Sequence, residues 1–585
     1  MQLSVSPQPR AHPDGQVEGT RVGSSRVLAG PLALGKQTWQ SAGSRSMGGE
    51  RCAQAPEANT ELSCDTESAI VSRMIVSGER RLAHQELFER AARVATGLNA
   101  LGVIEGNTIA LCLRNDFPIF EASFGAALIG VCPVAVNWHF TVAEARYIFE
   151  NCGAKVIVVH ADLVERLRGA FPPGAAILVA ETPSEIGDAY GLIPQDCAVP
   201  ADMTSWEEWR DSQTPLPRRP IVVPSTIIYT SGTTGRPKGV RFAPPTLEQM
   251  QVRLTVAQRA FGFLDYVDSP GLVVAVLTGP MYHSAPNGYA MHAVRLGATL
   301  ILQPRFDAKE VLQLIAQKRV THVHMVPVMF SRLLKLAAEC RAAYDLSSLR
   351  FVVHAAAPCP PSVKRAMIDW WGPVINEYYG GTETGVVTSC TSAQWLGHPG
   401  TVGRPVPEAD VRVIDSENRS LPSGKVGEII CRVRSMADFT YHGDDAKRQD
   451  VDRGGLIALG DVGYFDEDGY LYLCDRSRDM IISGGVNIYP AEIEAELSLM
   501  PSIDDCAVFG IPDDEFGEAV CATIQLREGA TLDASQVTDF LRHRLAGYKL
   551  PRRIEFRTDL PREDSGKIFK RKLRDSFWEH AGRRI

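Results

Sequence analysis

Ile227-Ile-Tyr-Thr-Ser-Gly-Thr-Thr-Gly-Arg-Pro-Lys-Gly-Val240 is the stretch on which the reading of this chain turns. An apolar, strand-like lead from Ile227 to Tyr229 runs into a loop of hydroxyls, glycines and one lysine. Gly232 and Gly235 allow the backbone to turn its N–H groups toward an anion. Thr230, Ser231, Thr233 and Thr234 add donors, and Lys238 adds charge. The loop is therefore a polyphosphate binder by composition. It is not a kinase-type P-loop, which needs Gly-x-x-x-x-Gly-Lys followed by Ser or Thr. Lys238 has the right spacing from Gly232, but Pro237 replaces the second glycine and Gly239 the hydroxyl.

Outward from this loop the pattern is strand and helix in alternation. Glu86 to Leu101 carries apolar residues at helical spacing, Thr108 to Leu113 reads as a buried strand, and Phe117 to Ile129 as a second helix. After the Pro-rich linker Thr214 to Pro220, strands are predicted near Ser225 to Tyr229, Leu272 to Leu277, Thr299 to Gln303 and His322 to Val326. Helices are predicted over Ala308 to Gln317 and Val328 to Leu336. Such alternation implies an α/β fold of stacked, mostly parallel sheets with helices on both faces. From Gly403 to Tyr472 short strands dominate (Val411 to Ile414, Gly427 to Arg432, Tyr470 to Cys474), which predicts a small antiparallel or barrel-like section. The expected organisation is an extension over 1–65, a large domain over 66–476, and a small mobile α+β domain over 477–585.

Five further segments follow in order: Pro280-Met-Tyr-His283, His354-Ala-Ala-Ala-Pro358, Asn376-Glu-Tyr-Tyr-Gly-Gly-Thr-Glu-Thr-Gly385, Leu459-Gly-Asp-Val-Gly463, and Ser483-Gly-Gly-Val-Asn-Ile-Tyr-Pro-Ala-Glu-Ile-Glu494. Pro561-Arg-Glu-Asp-Ser-Gly-Lys567 closes the series. With the loop at Gly232, the series resembles the acyl-adenylate-forming superfamily of acyl-CoA synthetases, luciferases and peptide-synthetase adenylation domains. The resemblance covers about residues 66 to 575.

The resemblance implies a role for each matching residue. His283 would lie beside the substrate carboxylate, and Ala357, in its small-residue loop, would flank adenine. Tyr379 would stack on the adenine, Thr382 would contact phosphate, and Glu383 would hold magnesium. Asp461 would take both ribose hydroxyls, as a carboxylate with two acceptor oxygens can, and Arg476 would reach the same ribose. The family's threonine before the Gly-Asp pair is Leu459 here, which removes one hydroxyl near the nucleotide. Lys567 would be the catalytic lysine, a compact charge suited to developing phosphoryl negative charge. Arg478 would be the hinge about which the small domain rotates, although the family more often has Asp or Lys there. Ser483, Gly484 and Gly485 would line the coenzyme A channel. Val328, Met329, Ala355, Ala356 and Gly381 would form the acyl pocket, with Gly381 leaving its floor open to a fatty or other bulky chain. Glu492 and Glu494 are read as a solvated helix face, as is the run Lys570-Arg-Lys572.

These matches imply a ligase that uses ATP, Mg2+ and coenzyme A to convert a hydrophobic, fatty-type monocarboxylic acid to acyl-AMP and then acyl-CoA. Two alternatives stay open: an acyl-AMP ligase that loads a carrier protein, and a non-catalytic nucleotide-binding relative. Composition narrows the partners. A net charge of −8 argues against general affinity for nucleic acid or anionic membrane. The apolar run Phe124 to Val136 is too short to cross ~30 Å of hydrocarbon. Thirteen scattered cysteines without a Cys-x-x-Cys pair fit reduced thiols and a cytoplasmic home. A homodimer is compatible with all of this. Residues before about 65 lack apolar periodicity and read as disordered. A transit peptide, or a start at Met47 or Met74, are the alternatives there.

Overall fold

The computed structural model describes residues 73–217, 226–230, 237–476, 479–562 and 568–578. The expected disordered extension, the loop residues Ser231 to Gly235, Arg478 and Lys567 lie outside the described residues.

The central sheet has nine strands. Its parallel heart is formed by Ile375–Gly381, Phe351–His354, His322–Met325, Val274–Leu277, Thr299–Leu302 and Met74–Ser77, in that spatial order. Short apolar sequences such as VAVL and TLIL suit strands covered on both faces. The chain goes from Val274–Leu277 to its neighbour Thr299–Leu302. It then crosses back to the other side for His322–Met325 and continues outward to Phe351–His354 and Ile375–Gly381. Helices Ser284–Leu296, Ala308–Lys318, Pro327–Leu334 and Pro361–Trp371 make the crossovers. The order therefore reverses at Val274–Leu277, and crevices at such reversals, beyond the carboxyl ends of the strands, are where open α/β sheets bind ligands. His283 and Val328 follow the two strands that flank this point.

A second, all-parallel sheet runs Cys132–Ala135, Thr108–Cys112, Ala154–His160, Ala176–Ala180 and Thr204–Ser205. The helices His84–Ala100 and Phe117–Leu128 pack with it and with the first sheet into one core that includes Leu98, Phe120, Trp206 and Tyr289. The predicted elements fall within a few residues of those observed: the strand expected from Thr108 is Thr108–Cys112, and the helix expected over Ala308 to Gln317 is Ala308–Lys318. The section after Gly403 is the expected antiparallel unit, with Ala409–Ile414, Gly427–Val433, Leu456–Phe465 and Leu471–Arg476 as its main strands. The C-terminal domain has its own sheet, built around the long pair Ile503–Asp513 and Gly517–Leu526. Its separate core holds Ile481, Leu497, Val508, Val520 and Leu541.

Candidate active site

The phosphate-type loop is bracketed by a hairpin. Strands Thr226–Thr230 and Lys238–Phe242 pair antiparallel with Thr230 opposite Lys238, so both ends of the loop are fixed by the ladder. Phe439–Tyr441 adds a third strand beside Lys238–Phe242, with Tyr441 opposite Val240. The Lys238 ammonium lies 5.7 Å from the centroid of the Tyr441 ring. The Tyr441 hydroxyl donates to Glu383 Oε1 at 3.0 Å. Tyr441 thus stands between the loop lysine and the carboxylate expected to hold magnesium, and sequence reading had not singled it out.

Glu383 sits in the turn after Ile375–Gly381, where Gly381 N donates to Thr384 Oγ1 at 3.1 Å. No group of three or more His, Cys, Asp or Glu among the described residues forms a cage for a metal. A single carboxylate fits magnesium, which prefers one or two carboxylates plus substrate phosphates to an all-protein site. Gly381 has a role other than the one expected from the sequence. A Cβ there would stand 3.0 Å from Leu459 Cδ2 and 3.5 Å from Glu383 Oε2. The glycine admits these two side chains and does not open a pocket floor.

Asp461 and Arg476 face each other across the pair Leu456–Phe465 and Leu471–Arg476. Arg476 Nε is 3.4 Å from Asp461 Oδ1, and the Tyr379 hydroxyl donates to Asp461 Oδ2 at 2.7 Å. Burial and the adjacent Asp461 carboxylate both push the Tyr379 phenol well above its ordinary range, so it remains a donor. A carboxylate offers about four lone-pair sites, so Asp461 keeps capacity for two further donors. Leu459, two residues earlier and separated from Asp461 by Gly460 at φ +78°, packs against Gly381, which explains how an apolar residue is accommodated there.

His283 is the N-cap of Ser284–Leu296, its ring 4.4 Å from that of Tyr282. The loop before it is held from the other sheet by buried Asn115. Asn115 accepts from Met281 N at 2.9 Å and donates to Gly279 O at 3.0 Å. Ala355 is buried, whereas Ala356 and Ala357 are exposed. Ala356 adopts φ +75°, a left-handed backbone that costs a residue with a Cβ energy and that the surrounding fold must enforce. Below this loop, Lys364 Nζ lies 2.5 Å from Glu377 Oε2, and His354 Nε2 lies 3.5 Å from the same oxygen. All three are buried. Burial, with help from Lys364, holds His354 well below its ordinary pKa and so neutral. This cluster joins the small-residue loop to the strand bearing Tyr379, and sequence spacing gave no signal of it. Met329 is buried and Val328 partly buried at the start of Pro327–Leu334, and Thr382 is partly buried in the turn beside Glu383.

Ser483, Gly484 and Gly485 form the tip of a hairpin in the C-terminal domain, with Ser483 opposite Val486. Gly484 and Gly485 have φ +57° and +78°, as a two-residue hairpin turn requires. Ile482 and Val486 beside them are exposed. Glu492 is exposed and paired with Lys549, as a solvated helix face predicts. Glu494 and Lys570 are not solvated in that sense. Glu494 Oε1 accepts from Val508 N at 2.6 Å and from Lys570 Nζ at 2.8 Å. The carboxylates of Glu494, Asp475 and Asp479 around Lys570 outweigh its burial and raise its pKa. Lys570 therefore ties the last helix to Glu494, in the field of Asp475 and Asp479 on either side of the expected hinge. Arg562 and Ile568, which bracket the lysine motif, pair with each other.

These features bring the candidate ribose and phosphate residues together where the parallel sheet meets the antiparallel unit, and a second small domain follows in the chain. The model of the AMP-binding enzyme family matches residues 61–439, and that of the AMP-binding enzyme C-terminal domain matches residues 492–567. The chain belongs to this family of adenylate-forming enzymes and is an acid–thiol ligase of the AMP-forming type. It is 33% identical over 506 residues to a feruloyl-CoA synthase of Amycolatopsis sp, covering 86% of this chain and 95% of that one. It is 30% identical over 516 residues to the fatty acid–[acyl-carrier-protein] ligase ScoC of Streptomyces coeruleorubidus, covering 86% and 93%. The crystal structure of the anthranilate CoA ligase AuaEII with anthranoyl-AMP superposes with a TM-score of 0.75 at 26% identity, covering 87% and 95%. No described helix is long and apolar enough to cross a membrane.

Proposed function

We propose that this ligase activates a hydrophobic monocarboxylic acid as its acyl-AMP and then transfers the acyl group to coenzyme A, releasing pyrophosphate and AMP. The observation that carries this reading is the convergence of Tyr379, Asp461 and Arg476 at one point with Glu383, Tyr441 and Lys238 beside it. The first group suits a ribose and the second a phosphate chain. The acid's carboxylate oxygen attacks the α-phosphorus of ATP, and the bond to the β-phosphate oxygen breaks, so pyrophosphate leaves. Lys238, the hydroxyl-rich loop and Lys567 would offset the charge that develops, while His283 orients the incoming carboxylate. Magnesium held by Glu383 would neutralise phosphate charge. In the second half-reaction a thiolate attacks the acyl carbon and AMP departs. The exposed hairpin tip at Ser483 to Gly485, moved by rotation about Arg478, would present a narrow passage for the thiol arm.

The likeness to ScoC, whose name gives an acyl carrier protein as acceptor, favours a second reading in which a carrier's thiol replaces coenzyme A. One experiment separates the two. Acid-dependent exchange of pyrophosphate into ATP, followed by coenzyme A, yields a thioester on the first reading and none on the second. Lys567→Ala is expected to abolish exchange while sparing thioester formation from supplied acyl-AMP. Equal loss of both half-reactions would refute the role given to Lys567.

A further inference from the structure

One residue of the small domain stands out of register with its own sheet and touches the large domain. In the long pair Ile503–Asp513 and Gly517–Leu526, Ile503 lies opposite Leu526 and Asp505 opposite Gln525, so Asp504 is an extra residue with no partner across the ladder. Such a bulge withdraws a backbone carbonyl from the ladder and re-aims a side chain. Both groups are used. Lys335 of the large domain donates from Nζ to the Asp504 carbonyl at 2.9 Å and also to Asp504 Oδ1. Gln525 Nε2, from the facing strand, lies 3.3 Å from Oδ2 of the same carboxylate. A single ammonium thus meets both acceptors that the bulge frees.

Each end of this contact leads to an element of the site. Lys335 is the C-cap of Pro327–Leu334, the helix whose first turn carries Val328 and Met329 of the expected acyl pocket. Asp505, the residue after the bulge, pairs with Arg562. Arg562 lies at the start of the lysine motif and bridges to Ile568 beyond it. Arg562 also acts as a like charge on Arg332, one turn before Lys335 on the same helix, and Asp504 and Asp505 act on Arg332 in the opposite sense. The edge of the lysine motif is thereby held near the acyl-pocket helix. The Gly484–Gly485 tip is open to solvent instead: Ile482 and Val486 are exposed, and a Cβ on Gly485 would meet nothing within 4 Å.

We propose that Lys335 and the bulged Asp504 form a latch between the domains that holds the small domain in the orientation of the first half-reaction. Lys335 is then a positioning residue for adenylation that touches no substrate. The inference deepens the two-step reading above and rests on it. The side chains of the pair are 30% and 32% exposed, so water weakens the attraction and the pair shifts an equilibrium only a few-fold. Weakness suits the role, because a latch that opens in every turnover must not hold tightly.

Two measurements on the whole enzyme test it. Zero-length carbodiimide coupling in the presence of ATP and Mg2+, read by peptide mass spectrometry, is expected to join Lys335 to Asp504 through an amide, and absence of that peptide overturns the latch. The second measurement compares pyrophosphate exchange with dodecanoate, benzoate and phenylacetate against thioester formation from the corresponding acyl-AMP and coenzyme A. Lys335→Met is expected to lower exchange about three- to fivefold without lowering the thioester rate. Asp504→Asn, which keeps the backbone acceptor, should act in the same direction to a smaller extent, and the double variant should be no worse than Lys335→Met alone. Equal loss in both half-reactions, or effects that multiply in the double variant, overturns the latch alone. No exchange by wild type with any of the three acids overturns it together with the acid-activating reading.

Discussion

Lys364→Met puts the architecture beneath the nucleotide site to a quantitative test. Lys364 is fully buried, and its 2.5 Å contact to Glu377 is the one ion pair Glu377 makes with a permanently charged partner among the described residues. Removing one member of a buried pair strands the other, at a typical cost of roughly 3–5 kcal/mol. For a large domain about 2 °C of melting temperature follows each kcal/mol, so the variant should melt about 6–10 °C lower. Burial raises the Glu377 pKa, while the charge and hydrogen bond of Lys364 lower it. Without the lysine only burial remains, and the carboxyl pKa rises further. The native state then binds a proton more readily than the unfolded chain, which gives stability that is present at low pH and lost as pH rises through the folded pKa. The deficit of Lys364→Met should therefore shrink as pH is lowered. Lys364→Met/Glu377→Met removes both charges and should recover most of the loss. Scanning calorimetry across pH checks all three points. A single variant as stable as wild type, or a double variant no better than the single, would refute the reasoning.

Tyr441→Phe deletes the hydrogen bond to Glu383, and loss of such an orienting partner typically costs about 10–100-fold in metal affinity. Mn2+ binding in the presence of ATP, followed by electron paramagnetic resonance, should weaken by that factor, and unchanged affinity would remove Tyr441 from the site. His84, His322 and His324 have pKa values lowered to about 4 and His292 to about 3, chiefly by burial. The unfolded chain binds more protons than the native one between about pH 6.5 and pH 4, so thermal midpoints should fall over that window as pH is lowered. A flat profile there would contradict the burial of these rings. Lys570→Met strands Glu494, with Asp475 and Asp479 nearby, on either side of the hinge. It should change the ratio of the two half-reaction rates, whereas equal changes in both would mark Lys570 as a purely structural contact.

Much of the fold is legible because its signals are local. The apolar runs at Val274–Leu277 and Thr299–Leu302 read as strands buried on both faces, and the spacing in His84–Ala100 reads as one helix face. Site segments are legible for the same reason, since each is a short continuous string in or beside one strand. Illegible were contacts whose two halves lie far apart in sequence. Tyr441 meets Glu383 across 58 positions, and Asn115 reaches Gly279 across 164. Glu494 and Lys570 each have the composition of a solvated face, and only the packing of the last helix on Ile503–Asp513 turns them into a partly buried pair. Gly381 misled because a glycine marks a close approach without saying from which side. The approaching groups are Leu459 and Glu383, from the nucleotide side.

On the proposed mechanism the same geometry calls for a moving part. Tyr379, Asp461, Glu383 and Tyr441 are fixed by ladders and hydrogen bonds within the large domain, so on the proposed mechanism a ribose and phosphates bound there would keep one position through both half-reactions. The lysine motif and the Gly484–Gly485 tip both belong to the small domain, on different elements. The chemistry asks for a cation at the phosphates first and a thiol at the acyl carbon second. A rigid small domain can present those two elements to one fixed site only in turn. The ion pair of Lys570 with Glu494, in the field of the carboxylates of Asp475 and Asp479, lies beside the proposed hinge. On the proposed mechanism, charge at this hinge would set the balance between the two orientations without touching either substrate.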